Sequence, residues 1–127
     1  MINLIKSIAY FLLLLSILFS NERGWTHPET GWQVISGNYM CIFMGYDIYI
    51  DNQFAEYNQN DAIGVFYNNE CVGWAYVSSV ITIIPAIGND GDNPQYPNNG
   101  DEIEFKIYDD SKDILLDIQT LESLPLW

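Results

Sequence analysis

Asp61-Ala-Ile-Gly-Val-Phe-Tyr67, Asn68-Asn-Glu70 and Cys71-Val-Gly-Trp-Ala-Tyr-Val-Ser78 follow one another without a break, and their reading decides the fold. Ile63 to Tyr67 has the length and composition of a short strand. Asn68-Asn69-Glu70 is a tight connection, because Asn tolerates left-handed backbone angles. Cys71 to Ser78 returns as the partner strand, so residues 62–78 predict a β-hairpin. Further on, Val80 to Ala86 is apolar and β-branched, and Pro85 places its end at a sheet edge or bend. Ile103, Phe105 and Ile107 alternate with Glu104, Lys106 and Tyr108, the pattern of an antiparallel strand with one wet face. Asp109 to Asp113 turns the chain into a last strand over Ile114–Ile118. Towards the N-terminus, Asn38 to Asp51 is rich in Tyr, Ile, Phe and Met and is strand-like, with Gly45 marking a bulge or bend between two halves. No helical periodicity appears in residues 21–127. Short strands with turn signals between them predict an all-β fold, a single antiparallel β-sandwich over residues 38–127.

Residues 1–20 stand apart from this pattern. Lys6 precedes the apolar run Ile8–Phe19, and the small Ser20 follows it. That layout predicts a secretory signal peptide. The run is shorter than the ~20 apolar residues a spanning helix needs, so no membrane insertion is expected after cleavage. Residues 21–37 lack periodicity and read as an irregular lead-in, with Trp25 and Trp32 packing back as a lid. The expected location is secreted, extracellular or cell-surface.

The net charge is −13, and every acid lies after residue 20. Such a domain repels nucleic acid, whose binding rests on basic phosphate contacts, and anionic membranes. In an oxidising compartment Cys41 and Cys71 form either a disulfide or two buried free thiols. His27, directly before Pro28, reads as a loop residue rather than a base. With no phosphate loop, dinucleotide fingerprint or credible triad, no catalytic residue and no enzyme are expected.

The order Asp61-x-Ile-Gly-x-Phe66, Glu70-Cys71-x-Gly73 and Gly100-Asp101-x-Ile-x-Phe105-x-Ile-Tyr108-Asp109 resembles a β-sandwich module of secreted Bacteroidetes-type extracellular proteins, often exported by type IX secretion. The likeness spans about residues 38–118. It implies export and fold, and it carries no catalytic residues. Leu124-Pro-Leu-Trp127 does not read as a sorting tail, so surface attachment by that route is not expected.

Three binding readings follow. Asp90, Asp92 and Asn93 in the thirteen-residue loop Gly88–Gly100, with Asp101 beside it, are hard oxygen ligands of the kind calcium takes; the alternative is a turn cluster serving backbone geometry. Trp25, Trp32, Trp74 and Tyr96 form a candidate ligand-binding set that would stack on glycans, with Tyr96 the best-exposed member; strand aromatics such as Trp74 are otherwise core. The Tyr-rich stretch Tyr46–Tyr49 is a candidate edge for extracellular protein partners or self-association. The expected function is a secreted, non-catalytic interaction or assembly module of adhesion type, and the alternative is a calcium-assisted carbohydrate-binding module.

Overall fold

The computed structural model describes residues 24–55, 60–118 and 123–127; the predicted signal peptide lies outside them. They form ten strands and no helix: β1 (Gly24–Thr26), β2 (Gln33–Ile35), β3 (Met40–Tyr46), β4 (Tyr49–Ile50), β5 (Gln53–Phe54), β6 (Ala62–Tyr67), β7 (Glu70–Tyr76), β8 (Ile81–Ile87), β9 (Glu104–Asp109) and β10 (Ile114–Asp117). One antiparallel six-stranded sheet runs β10-β9-β6-β7-β8-β3, and β1-β2 and β4-β5 are separate two-stranded ribbons.

The β6–β7 hairpin sits at the centre of this sheet. Asn68 and Asn69 both take positive φ, 48° and 67°, the backbone twist that a two-residue hairpin turn requires. The register slips between Val65 and Phe66, where Gly73 and then Cys71 oppose them, so the hairpin carries a β-bulge. Gly73 is required by its neighbour strand: a Cβ there would lie 2.3 Å from the Pro85 carbonyl oxygen and 2.6 Å from Ala86 Cα. Two sequence expectations are corrected. The lead-in is not irregular, since Trp25 pairs with Val34 in the β1–β2 ribbon. Pro85 does not mark an edge either; it lies inside β8, between β7 and β3. Its missing N–H is tolerated because the β7 side of β8 is registered only at Gly73 and Ala86.

Register assigns the two faces of the sheet. Cys41, Phe43 and Gly45 on β3 stand opposite Ala86, Ile84 and Thr82 on β8, and Val65 stands opposite Phe105. This face is the main core. Phe43 meets Phe105 edge-on at 5.4 Å and Trp127 at 5.9 Å. Trp127 is pinned by two backbone bonds, from Gly100 N to its carbonyl and from its own N to Asp101 O. Burying each such ring contributes roughly 1.5–3 kcal/mol. The opposite face is divided. Over β6 and β7 it is covered by the segment carrying His27, Trp32 and β2. Over β3 and β8 no described element covers it.

Candidate functional site

The signature residues found in the sequence are holding the fold together. Asp61 is buried, and its Oδ1 accepts the Asp110 N–H at 2.9 Å, which ties the start of β6 to the β9–β10 turn. Burial pushes the Asp61 carboxyl up, and Asp109 and Asp110 add to this against the Asp110 hydrogen bond. Asp109, also buried, accepts from Ser111 and pairs with Lys112 at 3.3 Å; Lys112 also reaches Asp51. Tyr108 donates to Asp113 across the same turn at 2.8 Å, and that bond pushes its phenol up to about 12. Gly64 leaves room for Trp32, whose ring carbons would stand 3.0–3.1 Å from a Cβ there. Gly100 takes φ 91°, a backbone angle that glycine adopts at no steric cost.

The four aromatic candidates share one side of the sheet, but they do not form an exposed platform. Trp32 is buried and packs edge-on against Phe66 at 5.4 Å. Trp25 and Trp74 are half-buried against the same core. Tyr96 was expected to be the best-exposed aromatic; it is instead 2% exposed. Its hydroxyl accepts the Ile35 N–H at 2.9 Å, which draws the long loop down onto β2. The loop's polar composition hid this anchor. A shallow cleft of about 430 Å³ lies beside it, lined by Trp32, Phe66, Cys71, Tyr96, Asn69 and Glu70. The aromatic rings on its floor are almost wholly covered.

His27 lies in the loop after β1, as expected, and is the most enclosed polar side chain on this side. Trp32, Trp74, Tyr76 and Tyr108 surround its ring at centroid distances of 4.7–5.6 Å. Nδ1 accepts the Thr30 N–H at 3.1 Å, which leaves the proton on Nε2. Nε2 and the Trp74 indole N–H are both buried without a hydrogen-bond partner. Burial pushes the His27 pKa down, against the pull of Glu29 and Asp110.

The loop acids are engaged by backbone. Asp90 accepts from Asn38 N at 2.7 Å, Asp92 N at 3.1 Å and Asn93 N at 3.2 Å. These bonds, Asn38's first, hold its carboxyl below the usual range. Asp101 accepts from Asn98 N at 2.8 Å. Asn93 is buried, and its side chain donates to Asp90. Asp90, Asp92 and Asn93 therefore come together as one turn, while Asp101 closes a different one. Among the described residues, no three His, Cys, Asp or Glu side chains form a group that would hold a metal ion.

The disulfide expected as one alternative is absent, and both cysteines are free thiols. Cys41 on β3 and Cys71 on β7 flank β8. Two inter-strand steps of about 4.8 Å separate them by roughly 10 Å, beyond the ~4.4–6.8 Å Cα spacing of a disulfide. Cys71 is buried, and desolvation pushes its thiol up to about 12.

The feature the sequence reading missed is the open part of the sheet. Met40, Ile42, Met44 and Tyr46 project from β3, and Ile81 and Ile83 from β8, all on one face. Ile42, Met44, Tyr46 and Ile83 are each 57–58% exposed. No charged residue occurs from Asn38 to Tyr46 or from Val80 to Gly88. β3 is also an edge strand, with no described strand on its outer side. The signal was present in the sequence, because β3 and β8 are apolar at odd and even positions alike. A strand with one wet face would alternate.

The chain matches no known protein family, curated protein or solved structure in these comparisons.

Proposed function

We propose that this protein is a secreted, non-catalytic interaction and assembly module of adhesion type. In this reading the six-stranded sheet is the principal layer of a β-sandwich-type module. The likeness to secreted bacterial modules gives its kind. One observation carries the proposal: a contiguous, charge-free apolar face of Met, Ile and Tyr side chains on an otherwise strongly acidic chain. Apolar patches of this extent on a folded surface mark interaction sites, and Met and Tyr suit such sites by adaptable packing and large contact area. The signature acids support the same reading, because they are engaged in turns and ion pairs rather than in chemistry.

The test is association in the native extracellular mixture. The Ile42→Asp/Met44→Asp double variant, made in the full chain, should fold as the parent does, since both side chains are exposed. It should lose co-migration with its extracellular complex on size-exclusion chromatography. Undiminished co-migration of the folded double variant would contradict the proposal.

A further inference from the structure

The open face of β3 and β8 is chemically complementary to itself, and this points to one occupant. We infer that two copies of this chain pack face to face through this surface about a two-fold axis. The inference rests on the interaction reading above and specifies the partner. Three observations on the structure support it.

The first is area. Met40, Ile42, Met44, Tyr46 and Ile83 each leave 55–58% of their surface exposed and Ile81 leaves 39%, six large apolar side chains on two adjacent strands that together offer a large part of the roughly 800 Å² per partner of a standard stable interface.

The second is charge. The chain carries −13 overall, yet the patch carries none. A basic partner would be drawn to the acids elsewhere rather than to this face. A neutral apolar surface wants a neutral apolar surface, and the second copy provides one with its acids placed off the contact.

The third is shape. The side chains alternate outward from two adjacent, registered strands, with Ile42 opposite Pro85, Met44 opposite Ile83 and Tyr46 opposite Ile81. This is a flat, pleated layer of the kind that interdigitates with another sheet face about 10 Å away. A two-fold interface uses the same patch on both copies, so no second, different surface is needed. Edge-to-edge pairing of β3 with β3 would extend the sheet but leave these side chains in water, so face packing is the arrangement that removes them from solvent.

The protein made from the full chain is examined by sedimentation velocity from about 1 to 100 µM, a range that covers the weakest affinities of interfaces this size. In parallel, a photo-cross-linking residue replaces Met44 in the producing cells. The expected result is a dimer that cross-links to itself. Ile83→Asp should keep the melting temperature and weaken dimerisation at least about tenfold. A dimer that persists unchanged in Ile83→Asp overturns face packing in favour of another contact. A monomer at 100 µM whose position 44 cross-links to a different extracellular protein overturns the second copy but leaves the interaction reading standing. A monomer with no cross-link at all overturns both.

Discussion

Asp61 offers the sharpest separation of a fold-holding acid from a ligand-binding one. Its buried carboxylate accepts the Asp110 N–H at 2.9 Å and joins two parts of the chain far apart in sequence. Asp61→Ala leaves that N–H without its acceptor in a partly buried site. An orphaned buried donor costs about 1–3 kcal/mol. Removing a buried carboxylate that faces Asp109 and Asp110 recovers part of this, so the net loss should be about 1–2 kcal/mol. For a domain of this size that lowers the melting temperature by roughly 5–15 °C. Asp61→Asn keeps an acceptor oxygen and removes the charge, so at pH 7 it should match or exceed the parent. The pH dependence fixes the sign. The folded Asp61 pKa is raised above 3.8, chiefly by burial. The folded state therefore holds this proton more tightly than the unfolded chain does. Its stabilising contribution is complete below pH 3.8 and is lost as pH rises through the raised folded value. The advantage of Asp61→Asn over the parent should accordingly grow as pH rises above about 4. Circular-dichroism melts of the three proteins from pH 3.5 to 7 measure this. A parent more stable than Asp61→Asn at pH 7, or an advantage that shrinks as pH rises, would show that burial of Asp61 does not oppose its ionisation.

His27 titrates in the opposite sense. Its folded pKa lies below 6.5 because burial disfavours the imidazolium, so stability present above pH 6.5 should fall as pH drops towards 5. His27→Phe should lower the melting temperature at pH 7 yet flatten its slope between pH 7 and 5, and an unchanged slope would contradict the cage. Alkylation of the native protein, read by mass spectrometry, should label Cys41 first and leave Cys71 unreacted until unfolding, since Cys71 is buried with its thiol pushed up to about 12. Calcium at millimolar level, or a chelator, should leave the melting temperature within about 1 °C, because the Asp90 and Asp101 oxygens already accept backbone N–H bonds; a rise with calcium would restore a metal role to the loop.

The elements that were legible in the sequence are those whose physics is local. The central hairpin was read from Asn68-Asn69 and two apolar runs, and β9 from Ile103, Phe105 and Ile107, because turn chemistry and period-two burial are short-range signals. The burial of Tyr96 and of His27 was not legible, for a shared reason. Each sits in a polar or Pro-flanked stretch, and its burial is decided by partners distant in sequence: Ile35 for Tyr96, and Trp74, Tyr76 and Tyr108 for His27. The β1–β2 ribbon was missed because three-residue strands are too short to show a period. The acids at positions 61, 101 and 109 stood out as a pattern, but only the fold reveals that they close turns and ion pairs. The open face escaped because composition cannot say which side of an apolar strand receives a cover, and the described residues cover β3 and β8 on one side only.

The proposed function resides on the β3–β8 face. Met40 and Met44 both lie there, and the only other methionine is Met1. Methionine-methyl NMR of the labelled protein, recorded on dilution and then with its extracellular mixture added, observes that face directly. The Met40 and Met44 signals should shift and broaden as the protein associates. Association that leaves both signals unchanged would contradict that placement.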